Sequence, residues 1–247
     1  RLGCELVYLE TPTNPLLKLV DIARLSRAAH RAGALVVTDN TFATPLLQQP
    51  LALGSDLVLH SASKFLGGHA DALGGVVCGP AEIIQRIFHF REITGAALDP
   101  FAAYLLLRGM KTLPLRIARQ NATALTIARW LEDQRRIARV HYPGLARHPQ
   151  RALARRQMPR GAGGVLSFEL RGGMPALRRF LPRLRFAHRA ANLGAVETTV
   201  GPPATTSHVE VSARERAALG LPEALVRYSC GLEDPADLIA DLRQALR

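Results

Sequence analysis

Apolar residues in the first half of the chain alternate between short unbroken runs and stripes spaced three or four apart, a pattern that predicts buried strands separated by amphipathic helices. "CELVYLE" (residues 4–10) reads as a strand, followed by a Pro-rich turn over 11–15. "DIARLSRAAHRAG" reads as a helix with Asp21 as N-cap and Gly33 just past its end, its inner face carried by Ile22, Leu25, Ala29 and Ala32. "ALVVTDN" is a β-branched strand, "TPLLQQPLALG" a short helical crossover and "DLVLH" the next strand. Such an alternation implies a mainly parallel sheet covered by helices on both faces. "GGVVCG" is a further strand and "PFAAYLLLRGM" a buried helix.

From Thr112 the pattern changes. "TLPLRIARQNATALTIARWLEDQ" predicts a long connecting helix with Thr112 as N-cap and Leu115, Ala118, Ala122 and Leu125 on one face. Beyond it "GGVLSFEL" reads as a strand, "MPALRRFLPRL" as a helix, "LVRYSCG" as a strand, and "PADLIADLRQALR" as a terminal helix capped by Asp234. The expected organisation is α/β throughout: residues 1–113 belong to a large ligand-binding domain and 114–247 form a smaller C-terminal α/β domain. Residue 1 is arginine and the chain enters a strand almost at once, so an upstream portion is expected to be missing.

Ligands of open α/β sheets gather outside the carboxyl ends of the strands. Three polar clusters are expected at that edge: Glu10 to Asn14, Asp39 with Asn40, and His60 to Lys64.

Composition narrows the function classes. No apolar run approaches the roughly 20 residues needed to span a bilayer, and Cys4, Cys78 and Cys230 are too few and too scattered for a disulfide framework or a metal site. A cytoplasmic setting follows, in which the sequon Asn121-Ala122-Thr123 has no use. The formal charge of +12 raises nucleic acid as a partner. The densest basic run is Arg135, Arg136, Arg139, Arg147, Arg151, Arg155, Arg156 and Arg160, but aromatics are only 5% of the chain and are not interleaved with it. Stacking platforms for bases are missing, so the run reads as a solvated basic surface.

The candidate chemistry centres on Lys64, one of only three lysines beside Lys18 and Lys111. Burying an unpaired ammonium at a strand end is costly, and loss of the proton or covalent use of the amine relieves that cost. An exposed loop lysine is the other reading of this stretch, and the neighbours decide against it. Ser61 and Ser63 offer hydroxyls suited to a phosphate ester, and Gly67 and Gly68 admit a ligand close to the backbone. Asp39 closes an apolar strand, where a protonated pyridine nitrogen would offset its desolvation. A turn aspartate would look the same on its own.

"ETPTNP", "TDNTF", "HSASKFLGGHAD" and "VRYSCGLED" together resemble the Cys/Met-metabolism (trans-sulfuration) group of fold-type I pyridoxal-phosphate enzymes, in order and spacing and over essentially the whole chain. The resemblance implies pyridoxal 5'-phosphate as cofactor, with Lys64 its covalent partner and proton shuttle, Asp39 on the ring nitrogen, Ser61 and Ser63 on the phosphate, and Asn14 and Thr41 near the ring. It also implies that Arg227 grips the substrate α-carboxylate, a task suited to a planar two-pronged donor. The loop "LGAVETTVGPPATTSH" resembles the family's substrate loop and places Glu197 and Thr198 on the substrate side, Thr198 standing where many members have serine. The family's phosphate-loop glycines, its ring-stacking tyrosine, and the tyrosine and arginine lent by a neighbouring subunit would lie upstream of Arg1, so this piece alone is expected to be inactive.

In wording the chain is closest to the gamma-synthase branch. That implies γ-replacement of an O-acyl-homoserine by cysteine to give cystathionine, in a homotetramer built as a dimer of dimers. Gamma-lyase, methionine gamma-lyase, beta-lyase and homoserine-ester sulfhydrylase chemistry are the alternatives within the family. An inactive member acting only as a binding partner, and a basic nucleic-acid module, are the alternatives outside it.

Overall fold

The structure is a computed structural model that describes residues 3–247. The first strand, β1 (Leu6–Glu10), leads through a turn with cis peptide bonds before Pro12 and Pro15 into helix α1 (Ile22–Arg31). Asp21 caps this helix by accepting from the Arg24 N–H, and Gly33 follows its end at φ +77°, a backbone that a β-carbon would strain. The buried face of α1 is Ile22, Ser26 and Ala29; Leu25 and Ala32, expected inside, lie outward.

Strand β2 (Leu35–Asp39), the short helix α2 (Thr44–Leu47) and strand β3 (Leu57–Ser61) continue the alternation. After β3 comes a wide helical turn over Ala62–Leu66, then β4 (Gly75–Cys78), α3 (Ala81–Thr94) and α4 (Pro100–Met110). The sheet order is β1-β2-β3-β4, with the first three strands parallel and β4 antiparallel at the edge. Helix α4 forms as expected but is not buried: Leu106 and Gly109 pack inward while Phe101, Tyr104 and Leu107 are exposed. With the equally uncovered α3, it presents an apolar face to solvent.

The long helix α5 (Leu113–Glu132) starts after Thr112, as predicted, although the Thr112 hydroxyl donates back to the Gly109 carbonyl instead of capping the new helix. Its buried face differs from the predicted one. Leu115, Ala118 and Ala122 are exposed and Leu125 is half-buried, whereas Leu113, Arg116, Ile117, Gln120, Thr123, Ala124, Ile127, Ala128 and Leu131 face inward. The physical reason is polar: the buried Arg116 and Gln120 serve carbonyls of other segments, Arg116 those of Phe65 and Leu66 in the turn after β3 and of Gly109 at the end of α4, and Gln120 that of Ala195.

The second half adds β5 (Ile137–His141), α6 (Arg151–Gln157), β6 (Val165–Leu170), α7 (Gly173–Phe180), β7 (His188–Arg189), β8 (Thr199–Gly201), α8 (Ala213–Ala218), β9 (Leu225–Ser229) and α9 (Pro235–Ala245). Its sheet runs β5-β6-β9-β8-β7 and is antiparallel except where β7 meets β8. Asp234 caps α9 through the Ala236 N–H, as expected. Among the described residues the first sheet has four strands and the second five. Helix α5 ties the halves together: Leu113 and Ile117 join the apolar cluster around Phe65 and Leu66, while Ala124, Ile127 and Leu131 join the one around Phe168 and Tyr228.

Candidate active site

The parallel register brings the carboxyl ends of β1, β2 and β3 to one edge. Glu10 pairs with Asp39 across β1 and β2, and the Asn40 N–H donates to the Leu59 carbonyl of β3. The three predicted polar clusters therefore do converge. Thr41 fastens the edge: its N–H donates to Asp39 Oδ1 (2.9 Å), and its Oγ1 accepts from the Ser61 N–H (2.8 Å).

Lys64 lies in the turn after β3, which is held from outside the sheet. The buried guanidinium of Arg116 donates to the carbonyls of Phe65 and Leu66, satisfying acceptors that the wide turn leaves without backbone partners. Gly109 of α4 sits directly against the Gly67 carbonyl, so a β-carbon there would displace the turn. The half-buried Lys64 Nζ donates to Asn192 Oδ1 at 2.7 Å, and no carboxylate lies within ion-pair distance of it among the described residues. Burial first, and the charge of Arg227 second, hold its pKa below the ordinary lysine value.

Arg227, on β9, is only 3% exposed, and no carboxylate lies within ion-pair distance of it among the described residues. Its NH1 donates to Asn14 Oδ1 (3.2 Å) and its NH2 to the carbonyls of Ala191 (2.6 Å) and Asn192 (3.3 Å). Burial pulls its pKa down to about 10. A guanidinium held by neutral acceptors alone is costly to bury and is poised for a carboxylate.

Asp39 is half-buried, with its second oxygen accepting from Tyr8 Oη at 3.2 Å and no Lys or Arg nitrogen within ion-pair distance among the described residues. Partial burial of Tyr8, together with the Asp39 carboxylate, pushes the phenol up to about 12. His60 is buried with Nδ1 unpartnered, and burial lowers its pKa against the opposing pull of Asp39. The Ser61 hydroxyl makes no hydrogen bond among the described residues, whereas that of Ser63 accepts from the Gly74 N–H (2.9 Å).

Two expected substrate contacts are not brought to this cluster. Thr198 is fully buried: its hydroxyl donates to Glu233 (2.7 Å) and accepts from the Gly231 N–H (2.9 Å), so it braces the loop and has no proton left to donate to a substrate carboxylate. Glu197 is exposed and has no hydrogen bond to Lys64, Asn14 or Arg227. The loop instead contributes Asn192, one residue before the stretch singled out in the sequence. Only an asparagine next to a Leu-Gly turn hinted at it. Tyr8 was also missed, as an exposed aromatic on an edge strand.

Thr198→Val is accordingly expected to lower stability by about 1–3 kcal/mol, through the unpartnered Gly231 N–H and the lost donor to Glu233. Denaturant midpoints read that loss, and the KM for the amino-acid substrate should stay unchanged. A raised KM at unchanged stability would restore Thr198 to the substrate side.

The residues present fit pyridoxal phosphate on the chemistry of the donor set: a lysine amine on a neutral acceptor, a carboxylate without a cation, and an unengaged serine hydroxyl at one sheet edge. The comparisons agree. A family described as Cys/Met metabolism PLP-dependent enzyme matches residues 3–247. Chloroplastic cystathionine gamma-synthase 1 of Nicotiana tabacum is 48% identical over 242 residues, 98% of this chain and 45% of the relative. O-succinylhomoserine sulfhydrylase of Pseudomonas aeruginosa is 47% identical over 98% of this chain and 60% of its own length. The crystal structure of cystathionine gamma synthase from Xanthomonas oryzae pv. oryzae in complex with cystathionine superposes with a TM-score of 0.96 at 44% identity, covering 98% of this chain and 62% of that one. The chain thus spans about half to three fifths of the length of these proteins.

Proposed function

The chain belongs to the Cys/Met metabolism PLP-dependent enzymes, and from that premise we propose that it carries the lysine, ring-facing carboxylate and carboxylate-gripping arginine of an enzyme that makes cystathionine from an O-acyl-homoserine and cysteine. The observation that carries this reading is the buried Arg227 beside Lys64, with no carboxylate within ion-pair distance among the described residues. When bound, pyridoxal phosphate supplies the electron sink for the pair left at the substrate Cα. Asp39 keeps the ring nitrogen protonated, Thr41 holds Asp39 in place, and Ser61 and Ser63 take the phosphate. Arg227 and Asn14 bind the α-carboxylate and so orient the Cα–H toward Lys64. Lys64 Nζ, kept short of protons by burial and by Arg227, moves the Cα proton and then a Cβ proton, so that the electron pair freed at Cβ can expel the acyl group from Cγ as a carboxylate; the cysteine sulfur, its thiol proton released to solvent, bonds to Cγ, and protons return to Cβ and Cα.

The 47% identity to an O-succinylhomoserine sulfhydrylase favours one second reading, in which the same leaving group is displaced by sulfide. The natural gene product, given O-succinylhomoserine with equal cysteine and sulfide, is expected to form mainly cystathionine. Homocysteine as the main product would establish the second reading, and release of 2-oxobutanoate without a new C–S bond would move the protein to the lyases. The proposed assembly is a homotetramer, a dimer of dimers, and the proposed compartment the cytosol. No helix among the described residues is long and apolar enough to cross a membrane.

Arg227→Gln provides a pH test with a defined sign. Activity requires the neutral Lys64 amine and so rises with pH through its pKa. Arg227 lowers that pKa, and its removal leaves only burial to do so. The acidic limb of the kcat profile should shift to higher pH, the KM for the amino acid should rise on the order of 10- to 100-fold as a charge-assisted pair is lost, and the cofactor spectrum should persist. An unmoved limb with an unchanged KM contradicts the role.

A further inference from the structure

The basic run over residues 135–160 does not behave as one surface. Arg156 is spent on Asp21 (2.7 Å), and Arg136 donates to the carbonyl of Arg247 (2.6 Å). Arg151 and Arg155 of α6, Arg160 of the following loop and Arg129 of α5 line a single cavity of about 480 Å³ in which no carboxylate takes part. Arg129, Arg155 and Arg160 make no ion pair or side-chain hydrogen bond among the described residues, while Arg151 is fixed by donation to the Gly144 carbonyl (2.8 Å). Asn121 adds an amide to the wall, and its Oδ1 is occupied by the N–H groups of Ala162 (2.9 Å) and Gly163 (3.2 Å), which leaves its Nδ2 as a donor.

Arg129, Arg155 and Arg160 are exposed at the mouth of the recess and not engaged by any carboxylate among the described residues, so their guanidinium groups are available to an anion, and the arginine fork matches oxyanion geometry. We propose that this cavity is a binding site for a small, multiply charged oxyanion, a phosphate ester or polycarboxylate. Its volume lies in the range of small-molecule pockets and exceeds what a lone inorganic phosphate fills. The site is separate from the one described above, sharing no lining residue with Lys64, Asp39, Asn14 or Arg227. The recess opens to solvent, and the one aromatic residue in its lining, Tyr142, is only 1% exposed and offers no face on which a base could stack, which suits a small anion and not a nucleic-acid strand.

Titration calorimetry on the natural gene product, with pyridoxal phosphate saturating and salt low, tests the site with pyrophosphate and with citrate as probes. At least one probe should bind saturably with a Kd under about 1 mM, the tighter one telling phosphate from carboxylate recognition. R155Q/R160Q should weaken it about tenfold or more, whereas R178Q/R179Q, with the same charge loss on the exposed face of α7, should leave it intact. Both double variants should keep wild-type kcat and melting temperature. Absence of saturable binding, equal weakening by the two double variants, or a duplex DNA that binds more tightly than either probe and loses affinity in R155Q/R160Q would each overturn the proposal.

Discussion

Replacing Lys64 with alanine is expected to lower kcat by on the order of 10² to 10⁴, the range for loss of a positioned acid–base group, and to remove the visible absorbance that pyridoxal phosphate shows on a lysine amine. The fold should survive. The Lys64 side chain makes one hydrogen bond, to Asn192, and the turn that carries it is held by Arg116 and by the Gly67–Gly109 contact, not by the amine. Far-UV circular dichroism with steady-state kinetics separates the two effects, and an active Lys64→Ala protein would remove Lys64 from the chemistry. Supplied methylamine should return part of the activity, which a merely structural lysine would not allow.

The second large effect is expected at Asp39. Asp39→Ala should cost about 10²- to 10³-fold in turnover, as for other preorganised electrostatic groups, because the proposed partner of the ring nitrogen is lost. Asp39→Glu should retain part of the rate. An independent readout comes from Tyr8, whose phenol is held at about 12 by partial burial and then by Asp39. Removing the carboxylate favours the phenolate, so the ultraviolet titration of Tyr8 should move to lower pH in Asp39→Ala. Normal turnover in that variant would refute the role, and an unmoved Tyr8 titration would refute the geometry.

Much of this site was legible before any fold was known, for a physical reason. Lys64, Asp39 and Asn14 follow strand ends, and a strand's apolar run marks its own boundary, so a polar residue just past it announces a sheet edge. Arg227 was singled out by the resemblance of "VRYSCGLED" to the family's motif, and its place inside an apolar strand favoured a buried role over a surface one. Thr198 was misread because a buried hydroxyl braced by Glu233 and an exposed one awaiting substrate look identical in sequence. Asn192 escaped because its partner is 128 residues away. The face of α5 was misassigned on the same ground: periodicity counts leucines, while Arg116 and Gln120 are drawn inward by carbonyls of distant segments, leaving Leu115 outside. Helix α6 carries three arginines in seven residues, which masks its apolar period.

The central claim, that Lys64 is the cofactor's covalent partner, is tested most directly by borohydride reduction of the purified protein with pyridoxal phosphate, followed by peptide mapping. With only Lys18, Lys64 and Lys111 available, the account predicts one stoichiometric pyridoxyl label on the peptide containing Lys64. A label on Lys18 or Lys111 with Lys64 unmodified would contradict it.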